Sequence, residues 1–362
     1  MTEPRDGGMV GCGPRADGRE ERARTGARTE TGLVRLSMRR AFSPRLVVPL
    51  VLGLGLIILL LGYADVAHVL RVASTFRPAY LLLILLVTGA YEALRAVQWF
   101  LLLRVVNSRE PWQTALMSYM GGEVTKALPG GQYFQAYLLR QARGVPIACS
   151  TAATTIILRL EVAVSAAIVL LLGVGPWTWV RPAALALLGA SAVLVLLVKW
   201  RPGRVQVRAI MRSYTRLRPA WLWWTDFVRW ADVLLRPGAI GIAAALCAGY
   251  IACAALGLWA IVAALSIPGI GLREALSVYA FALGLELTIP IPTDLGLMEV
   301  SGLAVLMAYG MPRADALTVM LIQRILSTIL VSGIAGVILV LLRDHLAAIL
   351  RTQGRGRAVS DH

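Results

Sequence analysis

Ten charged side chains lie inside otherwise apolar segments of this chain of 362 residues. Six are acidic and four are basic: Glu92, Glu123, Glu161, Glu286, Asp294, Glu299, Arg95, Lys126, Arg159 and Arg324. At the centre of a bilayer each charge costs roughly 2.5–3.5 kcal/mol, which makes about 25–35 kcal/mol for the ten if lipid surrounded them. They must therefore pair with one another or face water, where they can bind a charged group or exchange protons.

Four of these charged residues form two pairs with a spacing of three residues. Glu92 and Arg95, like Glu123 and Lys126, stand at i and i+3, which places each pair on one face of a helix. One interpretation is that each pair forms an ion pair within its helix and has a structural role only. The interpretation we favour for the whole set is a polar cavity of mixed charge, because apolar residues would replace a merely structural pair at lower cost. Mixed charge suits a zwitterionic or anionic headgroup better than a simple cation.

The composition places the elements that carry these charges in a membrane. Hydrophobic residues make up 58% of the chain and charged residues only 15%, with a mean hydropathy of +0.71, whereas a soluble domain has roughly a quarter charged residues. Apolar runs long enough to cross a bilayer predict an all-α, polytopic membrane protein with about six transmembrane helices. They lie at 46–64, 78–103, 144–173, 182–198, 237–272 and 317–342.

The polar stretches between these runs define the domain organisation. Residues 1–45 are polar and Gly/Arg-rich and predict a disordered basic tail, and 346–362 predict a second tail. One membrane domain, 46–345, lies between them, with halves at about 78–198 and 237–342. The linker 199–236 mixes Arg with Trp221, Trp223, Trp224 and Trp230, which favours an amphipathic helix on the membrane surface. A dedicated lipid-headgroup site in the linker is the alternative.

The distribution of basic residues predicts the orientation. Both tails, the linker and the flanks of the 113–139 segment carry 27 Lys and Arg, against five in the remaining connections. Because positively charged loops stay in the cytoplasm, both termini and the linker are expected there.

Two segments, 113–139 and 275–309, do not read as simple spans. Each contains a break rich in Pro and Gly, formed by Pro129, Gly130 and Gly131 in the first and by Pro290, Pro292 and Gly296 in the second. One interpretation is a pair of kinked spans with ordinary loops. The other is a pair of re-entrant helical hairpins lining a polar cavity, because a broken backbone at membrane depth needs protein or water to satisfy its polar groups.

An internal repeat supports the second interpretation. In each half a Pro-containing break precedes an apolar helix, then a Gly-x-Pro break, then a span with one buried Arg, which is Arg159 or Arg324. The Gly-x-Pro breaks are Gly144-Val145-Pro146 and Gly310-Met311-Pro312. The predicted orientation makes the first hairpin enter from the cytoplasm and the second from outside. This is the pattern of an inverted repeat, which transporters use to place a site near the midplane.

Enzymatic chemistry has little support in the residues. The four Cys and three His form no metal-binding pattern, and no Walker sequence is present, so no metal, cofactor or catalytic residue is predicted. Asp294 and Glu299 could form a carboxylate pair, but they are equally well explained as lining of a polar cavity. The net charge of +16 fits a phospholipid surface rather than nucleic acid, because the basic residues lie between the apolar runs.

Two stretches resemble the signatures of a known family. Residues 128–140, LPGGQYFQAYLLR, with Gly144-Val145-Pro146 and Arg159, are similar to the first signature of the lysylphosphatidylglycerol synthase transmembrane-region family, also called flippase-like. Residues 290–299, PIPTDLGLME, with Arg324, are similar to the second. The resemblance covers roughly residues 46–345. Two departures are Gln132, where the family commonly has Glu, and Thr293-Asp294, where it commonly has a Gly pair.

The resemblance implies a membrane protein that flips or scrambles a lipid or a lipid-linked glycan across the bacterial cytoplasmic membrane. Its pathway would include the ten buried charges and Gln132. Two alternatives stay open. One is an accessory subunit that scaffolds a membrane glycosyltransferase or a lipid-modifying enzyme, and the other is a membrane-embedded lipid transferase.

Overall fold

The computed structural model describes residues 71–72, 74–106, 111–125, 131–175, 177–199, 218–288 and 296–341. These residues form ten α-helices, one 3-10 helix at Gly131–Tyr133 and connecting loops. The α-helices are α1 (Ala79–Val106), α2 (Trp112–Thr125), α3 (Phe134–Arg143), α4 (Ile147–Leu172), α5 (Val180–Lys199), α6 (Arg218–Leu234), α7 (Pro237–Ala264), α8 (Leu272–Thr288), α9 (Leu297–Ala308) and α10 (Arg313–Leu341). The predicted all-α class is confirmed.

Within the described ranges, three helices, α1, α4 and α7, are long and apolar enough to cross a bilayer. Their 26 to 28 residues extend for about 39–42 Å, which exceeds the ~30 Å of hydrocarbon. They coincide with the predicted spans at 78–103, 144–173 and 237–272, while α5 and α10 coincide with those at 182–198 and 317–342. The predicted first span, 46–64, and both tails lie outside the described residues, so the count of six stays a prediction.

The first broken segment is a helical hairpin. Gly121 lies against Leu138 and Gly122 against Gln135, so α2 and α3 run antiparallel. At about 21 Å and 15 Å neither helix can cross the membrane alone. The shape therefore agrees with a re-entrant hairpin rather than a kinked span. Pro129, Gly130 and Lys126 lie outside the described residues, and Gly131 opens the 3-10 helix.

The second broken segment has the same form. Arg273, near the start of α8, donates to the carbonyl of Leu172, and Ala308, at the end of α9, has its carbonyl beside Gly175. Both open ends of this hairpin thus meet the same end of α4. The helices α8 and α9 extend for about 26 Å and 18 Å. Pro290, Pro292 and Asp294 lie outside the described residues.

The internal repeat is visible in the order of the helices. A long helix, a hairpin of two short helices and a second long helix follow one another as α1, α2–α3, α4 and again as α7, α8–α9, α10. Gly144 and Gly310 end the two hairpins with φ of 70° and 88°, values that favour glycine. Pro146 and Pro312 each precede the next long helix.

The two halves pack around a pseudo-two-fold axis. The equivalent helices α1 and α7 lie side by side, α2 packs against α10, and α8 packs reciprocally against α4. Val87 lies against Gly257 and Leu94 against Gly249, so α1 and α7 run antiparallel. An axis that relates two antiparallel spans is perpendicular to them and lies in the membrane plane. The repeat is therefore inverted, as its sequence predicted.

The second part of the linker is the amphipathic helix α6. Phe227, Val228 and Leu234 are buried on one side, where α6 packs against α4, while Trp223 and Trp224 are exposed. Exposed tryptophans of this kind are typical of a helix at the membrane surface. Residues 200–217 of the linker lie outside the described residues.

A charged cavity between the two halves

A cavity of about 170 Å³ lies between the halves and is here called the central cavity. The first half contributes α1 and α2, and the second contributes α7, α8, α9 and α10. Its charged lining consists of Glu92, Glu123, Glu286, Glu299 and Arg324. Thr88, Gln323 and Ser327 add polar groups, and much of the remaining wall is apolar. The predicted polar cavity between the halves is therefore present.

Glu299 is fixed at the first turn of α9. Its Oε2 accepts a hydrogen bond of 2.9 Å from the backbone N–H of Gly296, which precedes the helix with φ of 96°. Its Oε1 lies 3.2 Å from Nε of Arg324 in α10. The backbone donor orients the carboxylate, and the carboxylate in turn holds Arg324, whose side chain remains 24% exposed. The expected closeness of Arg324 to a carboxylate is found.

A second charged group, here called the arginine cluster, is centred on Arg95 in α1. Its Nη1 lies 3.0 Å from Oε1 of Glu123 in α2, and its Nη2 lies 3.1 Å from Oε1 of Glu161 in α4. One guanidinium therefore joins three helices of the first half. Two ion pairs of this geometry offset the cost of burying the charges, provided that the remaining polar atoms are also satisfied.

Tyrosines complete the arginine cluster. Tyr250 donates to Oε1 of Glu161 at 2.8 Å, and Tyr119 donates to Oε2 of Glu92 at the same distance. The guanidinium of Arg95 also lies 5.4 Å and 5.6 Å from the ring centres of Tyr91 and Tyr250. Rings at this distance stabilise a cation further. Because Tyr250 belongs to α7, the cluster also ties the two halves together.

A smaller cavity of about 20 Å³, here called the small cavity, lies beside the arginine cluster. Arg95, Gln98, Tyr119, Glu123, Gln132, Gln135 and Thr154 form its polar lining. Gln135 donates to the hydroxyl of Thr154, and Gln98 donates to the carbonyl of Ala243, both at 2.7 Å. Gln132, one of the two positions that depart from the family signatures, is thus a lining residue of the small cavity.

The structure places Arg159 away from both cavities. This side chain is exposed on α4 and lines neither cavity, whereas the equivalent Arg324 faces the central cavity. The physical reason is the helical period, because Arg159 and Glu161 are two residues apart and point about 200° from each other. Glu161 is turned into the protein by its contacts with Arg95 and Tyr250. Arg159 is therefore turned outward.

Several residues of the site were not singled out from the sequence. Tyr91 precedes Arg95 by four residues and Tyr119 precedes Glu123 by four, while Gln98 follows Arg95 by three. These spacings place each polar residue on the same face as a buried charge. A search for polar residues one turn away from a buried charge would therefore have found them. Tyr250 has no such neighbour, and only the packing of α7 brings it to Glu161.

Across the two cavities and the arginine cluster, the described residues include more carboxylates than guanidinium groups. The carboxylates are Glu92, Glu123, Glu161, Glu286 and Glu299, against Arg95 and Arg324. In this part of the chain no three His, Cys, Asp or Glu side chains are grouped so that they could hold a metal ion. The site can bind a polar group that carries positive charge, and Arg324 offers one cation for a negative group.

The sequence matches a family described as the lysylphosphatidylglycerol synthase TM region over residues 46–335. A UPF0104 membrane protein of Methanothermobacter thermautotrophicus (strain Delta H) is 28% identical over 116 residues, which cover 31% of this chain and 33% of that protein. The chain thus aligns with about a third of the length of that relative. The family match includes both halves of the repeat and both hairpins. This chain belongs to the lysylphosphatidylglycerol synthase transmembrane-region family.

Proposed function

We propose that this protein translocates the headgroup of a lipid across the bacterial cytoplasmic membrane through the central cavity. The observation that carries the proposal is the position of the cavity, which charged side chains from both halves of an inverted repeat line together. Transporters place their substrate site at the interface of such repeats. Both termini and the linker lie on the cytoplasmic side in this proposal, as the excess of basic residues predicts.

The size of the central cavity favours a headgroup over a whole lipid. Its volume of about 170 Å³ is below the ~300–1,000 Å³ of pockets that enclose a complete drug-sized ligand. The acyl chains would remain in the bilayer, while the polar headgroup, which is expensive to move through hydrocarbon, passes through the charged interior. No covalent change of the lipid is required, and in this proposal the protein is not an enzyme.

The charges favour a headgroup that contains both signs. Arg324 presents a guanidinium to the cavity, a group that suits phosphate. The carboxylates opposite it suit an ammonium group. The sequence suggested a zwitterionic or an anionic headgroup. The excess of carboxylates among the described residues supports the zwitterionic one, because these carboxylates would repel a purely anionic headgroup.

A reconstitution experiment tests this proposal. Purified protein is placed in vesicles of phosphatidylcholine and phosphatidylglycerol that contain a trace of acyl-labelled NBD-phosphatidylethanolamine. Dithionite, which does not cross the bilayer, then bleaches the outer leaflet. We expect bleaching to continue beyond the outer-leaflet fraction in protein-containing vesicles and to stop there in protein-free vesicles.

The same vesicles separate the alternatives. An accessory subunit would leave the inner-leaflet probe protected although the protein is folded, and that result would overturn the proposal. A transferase would change the mass of the probe lipid, which mass spectrometry of the extracted lipid measures. Repeating the assay with NBD-phosphatidylglycerol tests the headgroup, and we expect the zwitterionic probe to move faster.

A further inference from the structure

Glu123 is the one described residue that lines both the central cavity and the small cavity. Its side chain is only 8% exposed, and its carboxylate is held by Arg95. The other carboxylates differ in this respect, because Glu92 and Glu299 line the central cavity alone and Glu161 lines neither. A group at Glu123 that gains or loses a proton can therefore exchange it with either cavity.

The small cavity is suited to water. Its volume of about 20 Å³ exceeds the ~10–15 Å³ that one water molecule requires. Two of its lining residues present buried atoms that have no hydrogen-bond partner within the described chain, Nε of Arg95 and Oε1 of Gln98. One atom is a donor and the other an acceptor, so a water molecule here can satisfy both. Water at this place would be next to Glu123.

The small cavity lies on the side of Glu123 that is predicted to face the cytoplasm. Along α1, Gln98 follows Glu92 in the direction of Val106, which is the end nearest to the basic residues Arg104 and Arg109. On α4, Thr154 lies two turns from the start of the helix, where the basic residues Arg140 and Arg143 precede it. The central cavity extends the other way, along α8 and α9 of the second hairpin.

The titratable groups around Glu123 come from both halves of the repeat. Among the described residues, the titratable groups of the two cavities and the arginine cluster are Glu92, Glu161, Glu286, Glu299, Arg95, Arg324, Tyr91, Tyr119, Tyr250, Tyr279, Cys247 and Cys253. Lys126, which follows Glu123 by three residues, lies outside the described residues. Within the part of the chain that the structure describes, five carboxylates, counting Glu123, face two guanidinium groups. A carboxylate in such a surrounding is a group whose charge state responds to a charged ligand beside it.

We infer that Glu123 exchanges a proton between the central cavity and the small cavity, and that this exchange is coupled to headgroup passage. The coupling rests on the proposed function, whereas the proton exchange itself does not. In one direction the neutral Glu123 carboxyl transfers its proton to water in the small cavity, which becomes hydronium and passes the proton on towards the cytoplasm. The carboxylate that remains is stabilised by Nη1 of Arg95. In the other direction, the carboxylate takes a proton from water in the central cavity.

The coupling follows from occupancy of the central cavity. An ammonium-bearing headgroup beside Glu123 favours the carboxylate and therefore release of the proton, because opposite charges stabilise each other at close range. Departure of the headgroup removes that stabilisation and favours uptake. Headgroup and proton then occupy the site alternately, and a proton gradient can drive the lipid.

The experiment measures protons and lipid in the same vesicles. Vesicles of phosphatidylcholine and phosphatidylglycerol containing the full-length protein and NBD-phosphatidylethanolamine enclose the pH dye pyranine, and a pH difference is imposed across them. For the parent protein we expect proton flux above that of protein-free vesicles and a lipid distribution that follows the gradient. For Glu123→Gln we expect flux at the protein-free level and no response of the lipid to the gradient.

Two variants control this experiment. Asp232→Asn removes a carboxylate from a surface ion pair with Lys199, far from both cavities, and should match the parent protein. Should Glu123→Gln fail to fold, infrared difference spectra of the parent protein between two pH values report protonated carboxyl groups directly. In this case we expect Glu123→Asp to shift one carboxyl band, and an unshifted spectrum would overturn the inference.

The outcomes separate this inference from the proposed function. Lipid movement that does not depend on the pH gradient, with no proton flux, overturns the inferred proton exchange and supports the proposed lipid translocation. Proton flux that Glu123→Gln abolishes, without lipid movement, supports exchange at Glu123 and overturns translocation. The absence of both signals from folded protein overturns both.

Discussion

The hydroxyl of Tyr250 donates a hydrogen bond of 2.8 Å to Oε1 of Glu161, across the boundary between the two halves of the repeat. The same oxygen lies 3.1 Å from Nη2 of Arg95. A single buried carboxylate oxygen thus receives a donor from each half. The contact makes the packing of α7 against the first half dependent on the charged interior as well as on apolar surface.

Replacing Tyr250 by Phe removes this donor and keeps the ring. We expect a loss of stability of about 1.5–3 kcal/mol, typical of hydrogen bonds to charged groups, because Glu161 keeps its charge and loses one partner. The thermal unfolding midpoint in detergent measures the effect. Tyr137→Phe is the control, since the Tyr137 ring stacks on Phe134 away from both cavities. Equal midpoints for Tyr250→Phe and the parent protein would contradict this expectation.

The two arginines at equivalent positions of the repeat should behave differently. Arg324→Ala leaves Glu299 buried without its ion-pair partner, a change that typically costs about 3–5 kcal/mol, and removes the cation of the central cavity. We expect lipid movement to stop and the unfolding midpoint to fall. Arg159→Ala, on the exposed side of α4, should keep the parent rate and stability. Arg324→Lys keeps the charge without the planar fork, and we expect it to fold but to move lipid more slowly.

Comparing the rates of the three arginine variants tests where the pathway lies, which their stabilities alone do not. If Arg159→Ala stopped lipid movement while Arg324→Ala left it intact, the placement of the pathway in the central cavity would be wrong. The dithionite assay with NBD-phosphatidylethanolamine gives the rates, and the thermal midpoint of each variant shows whether a loss of rate reflects unfolding.

The contact between α1 and α7 should be sensitive to side-chain size. A Cβ atom at Gly257 would lie 3.5 Å from Cγ2 of Val87, so the larger side chain of Gly257→Leu would press on α1. We expect a loss of about 1–3 kcal/mol, as overpacking usually causes. Gly241→Leu, on the same helix, meets open space and should leave the unfolding midpoint unchanged. A tolerated Gly257→Leu would show that the halves are not packed as described.

Cysteine labelling tests the predicted orientation. In a protein without its native cysteines, Thr178→Cys in the loop after α4 should react with a membrane-impermeant maleimide added to intact cells. Arg229→Cys on α6 should react only after the membrane is made permeable. Both side chains are exposed, so access by the reagent depends on their side of the membrane. Labelling of position 229 in intact cells would refute the cytoplasmic linker.

The sequence predicted the repeat because its signals are local. Gly144 and Gly310 need positive φ, and Pro146 and Pro312 mark the starts of the next helices, so the order of elements followed from single positions. Long apolar runs likewise predicted α1, α4 and α7. The general position of the charges inside the membrane domain followed from the cost of exposing them to lipid.

The partners of the charges were harder to predict, because they depend on how each helix is rotated in the packed protein. The spacing of Glu92 and Arg95 suggested a pair within one helix, yet Arg95 reaches Glu123 and Glu161 on two other helices. The exposure of Arg159 depends on the same rotation of α4. A hydropathy window contains no information on how a helix is rotated about its axis. This rotation is determined by tertiary contacts such as that of Tyr250.

The antiparallel arrangement of α1 and α7 has a consequence for the conformations open to this protein. If the two halves exchanged their conformations, the molecule would reach a second shape that is the first one turned upside down across the membrane. The two halves have similar backbones but different charged side chains, because Arg95 and its carboxylates belong to the first half alone. One of the two shapes must therefore be lower in energy, and we expect the resting protein to adopt mainly that one.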